Sequence, residues 1–164
     1  MAYEPWQPGM ILTASRLASI SPTWRSWTPT WTTSSGNFLP SFGDASIDCS
    51  YAESAGTVFW RMEIIFGAST NFGGGGGGDN FLFGLPVPAA GLNSCIGFFE
   101  LNASVNVRVV GRGRCLTTGA VSIEISSGQV DGAPVAVGGI ADASSPWAWA
   151  AGHSIRGSGQ YQRG

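Results

Sequence analysis

Between Thr57 and Phe66 the chain alternates with period two: Val58, Trp60, Met62, Ile64 and Phe66 fall on one face, while Thr57, Arg61 and Glu63 fall on the other. A segment of that pattern is a β-strand with one buried face, and it predicts the central strand of a sheet. Upstream, Ile47, Cys49 and Tyr51 alternate with Ser46, Asp48 and Ser50, and the short Glu53 to Gly56 connection predicts a hairpin. Downstream, Phe81, Phe83 and Leu85 alternate with Leu82 and Gly84 until Pro86 removes an amide hydrogen, so a third strand ends there or runs along an edge.

Further strands are expected at Thr28 to Thr33, Cys95 to Leu101, Val105 to Val109, Val121 to Ile125 and Ile155 to Tyr161. Phe98 and Phe99 fall on opposite faces of theirs. Arg112-Gly113-Arg114 reads as a compact, solvated basic turn, and Gln129 to Ser145, small and without periodicity, as a long surface connection. About eight strands at this spacing with no long helix predict an all-β, antiparallel sandwich of jelly-roll type.

Residues 1–27 differ from the rest of the chain. Pro5, Pro8, Gly9 and Pro22 interrupt any regular element, with Trp6, Trp24 and Trp27 between them, which predicts an extended arm. Thr13 caps a short helix in this reading, with Leu12, Leu17 and Ile20 as a narrow apolar stripe. So short a helix is unstable alone and has to dock, on its own domain or on another chain. The division expected is an arm, 1–27, and a β domain, 28–164.

Charge narrows the function classes. Only 11% of residues are charged while 43% are apolar, a composition suited to a surface partly covered by other chains. The formal net charge is −2, and all eight basic residues are arginines scattered along the chain, so no basic stripe is available for phosphates and nucleic-acid binding is not expected. Six consecutive glycines, Gly73 to Gly78, are followed by Asp79 and Asn80 where a phosphate loop needs Lys and Ser or Thr, so nucleotide binding is rejected. The run fits either a mobile loop or a tightly packed crossing.

No signal peptide is expected, since Glu4 precedes any basic residue and prolines break the apolar run. No stretch approaches the about 18 apolar residues of a membrane-spanning helix, so no membrane insertion is expected. Cys49, Cys95 and Cys115 are far apart and read as small apolar residues rather than a disulfide or metal set, and no cofactor is implied. His153 is the sole histidine and no nucleophile motif accompanies it; Glu63, Glu100 and Glu124 read as single outward residues on separate strands. No catalytic or metal site is expected.

Several short motifs carry a resemblance: Tyr51, Gly56, Phe66-Gly67, Phe72-Gly73 and the run Leu85 to Ala89; at the start, Trp6-Gln7-Pro8-Gly9-Met10 with Leu12-Thr13-Ala14 and Arg16-Leu17, then Trp27 to Thr32; at the end, Pro146-Trp147-Ala148-Trp149, Gly152 and Gly157 to Tyr161. Together they resemble the tail-fibre, minor-tail and capsid-appendage proteins of actinobacterial phages. The resemblance implies a virion structural protein, assembled in the bacterial host cytoplasm. It would be a homotrimer anchored to other virion proteins of tail or capsid by Trp6, Pro8, Met10, Leu12 and Leu17, with its β domain projecting toward the host. A capsid decoration or head-fibre protein is the alternative within that class. A host-glycan-binding module is the alternative outside it, with Trp147 and Trp149 stacking on sugar rings or filling a subunit contact.

Overall fold

The computed structural model describes residues 8–11, 13–14, 21–75, 78–130, 133–134 and 139–164, with side chains left aside at 126–130 and 133–134. The longest strands follow the alternation. β3 (Ser46–Ser54) and β4 (Thr57–Ile65) pair in register from Ser46↔Ile65 to Ser54↔Thr57, which leaves Ala55-Gly56 as a two-residue loop. Both loop residues have positive φ, 49° and 78°, the geometry whose twist matches that of the flanking strands.

Ahead of this hairpin lie β1 (Arg25–Ser26) and β2 (Trp31–Thr33); after it come β5 (Phe81–Gly84), β6 (Cys95–Ser104), β7 (Val107–Thr117), β8 (Ala120–Val130), β9 (Ala133–Pro134), β10 (Gly139–Ile140) and β11 (Ser154–Gln162). All pairings are antiparallel, and the main path runs β1-β3-β4-β11-β6-β7-β8-β5-β2, with β9 and β10 also paired to β8.

The path dictates the curvature. Nine strands laid flat would separate β1 from β2 by roughly 38 Å. Only residues 27–30 join them, a length that spans at most about 18 Å. Trp27 N donates to Cys49 O on one end of the sheet while Thr30 O accepts from Gly84 N on the other. The sheet is therefore curled into a half-barrel, with one face turned inward. The all-β, antiparallel expectation holds at this level, and the described strands run as one continuous sheet.

Glycines make the curl possible at its centre. On the inward faces of β7 and β11 a β-carbon on Gly111, Gly113, Gly157 or Gly159 would collide with neighbours: Ile123 and the Glu124 carbonyl at Gly111, the Phe99 ring at Gly113 and Gly157, and the Ile96 carbonyl at Gly159. Large side chains on adjacent strands fill the room the glycines leave. Inside, Trp31 is ringed by Phe42, Phe66, Phe72, Phe81 and Phe83 at centroid distances of 5.0 to 5.9 Å. Trp60 and Phe99 pack at 5.1 Å in the other half, and Trp60 Nε1 donates to Ile96 O.

Three sequence readings need correction. Arg112-Gly113-Arg114 lies within β7, because Gly113 faces inward beneath the Phe99 ring rather than bending the chain. Val105 occupies the two-residue loop between Ser104 and Val107 and is 83% exposed, so the alternating set starts at Val107. Gln129 to Ser145 is no bare connection: β8 continues to Val130, and β9 and β10 return along it.

At the start, Arg25 and Ser26 already pair with Tyr51 and Ser50 of β3, so the chain enters the sheet just ahead of residue 28. Most of the expected arm helix lies outside the described residues. In the glycine run, Gly73 (φ 75°) packs on the Phe38 carbonyl and Gly75 on Asp79, while Gly76 and Gly77 lie outside the described residues.

Candidate functional site

The outward face of the curled sheet collects charge that is far apart in sequence. The cause is topological: β11, close to the C-terminus, inserts between β4 and β6. Register then aligns Asp48, Glu63, Arg156, Glu100 and Val110 in one row across five strands. The neighbouring row carries Ser50, Arg61, Ser158, Phe98 and Arg112. Between the rows lies an open groove of about 500 Å³, lined by Asp48, Arg61, Glu63, Phe98, Glu100, Val110, Arg156 and Ser158.

Polar atoms in the groove are fixed by cross-strand bonds. The Arg61 Nη2 donates to both Asp48 carboxylate oxygens at 3.0 and 3.1 Å, and its Nε to Ser50 Oγ at 2.7 Å. Arg156 Nε donates to Glu63 Oε1 at 2.6 Å. Exposed pairs of this kind add about 0.2–1 kcal/mol each to stability, so their main effect is to hold the side chains in place. Glu100 sits across from Arg156, yet its carboxylate takes no hydrogen bond or ion pair among the described residues. Phe98 projects from the middle of the groove and is 67% exposed.

Beyond Phe98 the row ends in a tighter charge cluster. Glu124 accepts from Arg112 Nε through Oε2 and from Arg114 Nη1 through Oε1. Arg114 also donates to Asn93 Oδ1 at 3.1 Å. The two guanidinium bonds, that of Arg114 foremost, hold the Glu124 carboxyl below its usual range.

Each residue singled out in the sequence has a definite place where it is described. Trp149 is buried, its ring 5.4 Å from Phe66 and its Nε1 donating to Asp142 O at 2.8 Å. Trp147 is half-buried, 5.7 Å from Trp149, and its Nε1 has no hydrogen-bond partner. A sugar or a subunit approaching this pair would thus meet Trp147, since Trp149 is committed to the interior. Of the arm residues, Pro8 is exposed and Met10 half-buried; Trp6, Leu12 and Leu17 lie outside the described residues.

His153 packs at 6.2 Å from Trp147 and accepts from Ala150 N through Nδ1, and burial pulls its pKa down. It lines a turn, and no nucleophile bonds to it among the described residues. Cys49 and Cys115 are buried thiols and Cys95 is exposed. Among the described residues no group of three or more His, Cys, Asp or Glu is placed to hold a metal ion, and no helix is long and apolar enough to cross a membrane.

The sequence reading missed the groove. Glu63 and Glu100 do face outward on separate strands, as expected, but they flank one arginine. The signal for Phe98 was present, since it alternates with the buried Phe99. What the sequence lacked was the strand order that puts Arg156 beside it.

No family model matches this chain, and neither the curated proteins nor the solved structures compared with it yield a match.

Proposed function

We propose that the chain is a structural subunit of a bacteriophage virion, an oligomeric appendage of the minor-tail or tail-fibre kind. Its N-terminal segment, residues 1–27 with a short helix, attaches it to other virion proteins, and its β domain, built as a jelly-roll-like sandwich in the assembled particle, projects toward the host surface. The observation that carries this reading is the number of large apolar side chains left in water. Trp24, Phe38, Leu39 and Leu92, all away from the outer-face groove, are each more than half exposed, on a chain with only 11% charged residues. Scattered apolar residues are normal on a monomer, but this many with so little charge suits a surface covered by sister subunits. The sequence motifs at both ends point the same way.

Light scattering on the purified full chain tests the reading. A mass about three times the 17.0 kDa of one chain is expected. A monomer at micromolar concentration removes the observation's explanation and overturns the appendage reading in favour of a decoration subunit that binds singly.

A second reading, a module for host-surface carbohydrate, is favoured by one specific feature. The outer-face groove places an exposed aromatic ring among fixed polar groups. The two readings are compatible, since an appendage that reaches the host also contacts it.

A further inference from the structure

We infer that the outer-face groove centred on Phe98 is a binding site for a neutral carbohydrate. The inference deepens the host-contact part of the function proposed above and rests on it for its biological setting, but its chemistry stands on the groove itself.

Phe98 is 67% exposed in the middle of the sheet, with Ser158 on one side and Arg112 on the other in its own row. A pyranose offers a patch of C–H bonds on one face and hydroxyls around its rim. The patch matches the face of an aromatic ring, and the rim needs donors and acceptors set around that ring.

The groove supplies both. Glu100 is an acceptor with no partner among the described residues, one row from Phe98, and Ser158 offers a hydroxyl that donates or accepts. Arg156 and Arg61 are held in position by Glu63 and Asp48, so a ligand meets preset groups. The volume, about 500 Å³, falls within the range of small-ligand sites.

Charge selects against other occupants. Asp48, Glu63 and Glu100 set three carboxylates against the guanidiniums of Arg61 and Arg156, and both guanidiniums are already paired, so a phosphate or acidic sugar finds no free cation. A second protein chain closing over the groove would have to dehydrate all five charged groups, at a cost that only excellent pairing offsets. An open, wet sugar site leaves them hydrated and uses bridging water as part of the contact.

The test is a titration of the isotope-labelled full chain, followed by amide chemical shifts. The probes are chitotriose, maltotriose and a linear arabinan oligomer, with inorganic phosphate and glucuronate as anionic comparators. At least one neutral oligosaccharide at millimolar concentration is expected to shift the amides of Phe98, Glu100 and Ser158, with neither anion doing so. Phe98→Ala, at an exposed position, is expected to fold and to weaken that binding by about fivefold or more, while Trp147→Ala leaves it unchanged.

The inference is overturned if none of the neutral oligosaccharides moves these amides. It is also overturned if the shifts centre on Trp147 and vanish in Trp147→Ala, or if Phe98→Ala lowers the mass of the particle in solution, which would make this face a contact between copies. The appendage reading fails separately, by a monomeric mass of the unaltered chain, whatever the titration shows.

Discussion

The ring of Phe99 fills the space above Gly157 on the neighbouring strand: a β-carbon built on Gly157 would lie 2.5 Å from Phe99 Cδ1 and 2.9 Å from the Phe98 carbonyl oxygen. On its other side the same ring lies over Gly113, whose β-carbon would come within 2.6 Å of Cε2. One phenyl group thus covers two strands, and the sheet bends around it. Gly157→Ala forces either the ring or the β11 backbone to move. Overpacking of this kind costs about 1–3 kcal/mol, and urea unfolding should show it as a lower midpoint. Gly119→Ala, with open space where its β-carbon would go and no positive φ, is the matched control, expected to stay within about 0.5 kcal/mol of the parent.

Trp31 connects the two ends of the curled sheet. It comes just after the short 27–30 crossing, is buried, and touches aromatic rings contributed by β5 and by the segments flanking β3 and β4. Truncation to alanine leaves a cavity between those rings that rigid strands cannot close. Trp31→Ala should cost about 3–5 kcal/mol, read by thermal or urea unfolding; Trp24→Ala, at a residue 52% exposed, should cost little in the isolated chain.

The legibility of this fold follows the reach of each physical signal. Period-two alternation is local, and it gave β3, β4, β5 and β8 with their buried faces; the connection expected over Glu53 to Gly56 closes to Ala55-Gly56 alone, because β3 stays paired through Ser54. The local pattern misread Arg112-Gly113-Arg114 because a glycine between two arginines has the composition of a turn. Only the ring of Phe99, on a different strand, explains why that glycine is needed in β7. Strand order is a long-range property, and no local pattern says that β11 lies between β4 and β6. For that reason the groove joining Glu63, Arg156, Glu100 and Phe98 was invisible, although Glu63 and Glu100 were read as outward and Phe98 as opposite in face to Phe99. The place of Trp149 is set by a contact of the same non-repeating kind: the turn built on Asp142, whose Oδ1 accepts from Ser144 and Ser145, carries the tryptophan inward, where its Nε1 donates to Asp142 O.

The three thiols should separate by reactivity. Burial pushes the Cys49 thiol up to about 11 and raises that of Cys115, while Cys95 lies exposed. A thiol reacts as its thiolate, so both buried groups are protected twice, by access and by protonation. At pH 8 an aromatic disulfide reagent should modify Cys95 rapidly and the other two only when the chain unfolds. Cys95→Ser should abolish the fast phase; a fast phase of more than one thiol would mean the sheet opens readily near β3 or β7.

Glu124 ties β8 to β7 through two arginines, and its carboxyl titrates below the ordinary value of 4.5. The folded chain therefore binds this proton more weakly than the unfolded chain. Stability from the cluster is complete above pH 4.5 and is lost as the pH falls through the folded value. Glu124→Gln should lower the urea midpoint at pH 7 and flatten the acid side of the stability curve. An unchanged acid limb would assign that limb to other carboxylates, such as Asp44, whose pKa is lowered chiefly by the Ser69 amide.

His153 should act in a higher pH window. Its ring is half-buried beside Trp147 and Trp149, and its Nδ1 accepts the Ala150 amide, a bond that requires an unprotonated Nδ1. Burial lowers its pKa below the usual 6.5, so the unfolded chain takes up this proton first. Stability is then level above pH 6.5 and falls as the pH drops from 6.5 toward the folded value, where protonation disfavours the turn that positions β11. His153→Asn keeps an acceptor for the Ala150 amide but cannot be protonated in this range. Urea midpoints measured from pH 8 to pH 5 should show a decline for the parent chain that is absent in the variant. Equal slopes in the two proteins would mean that the imidazole titrates alike in the folded and unfolded chains, and that its packing against the tryptophans is too loose to exclude water.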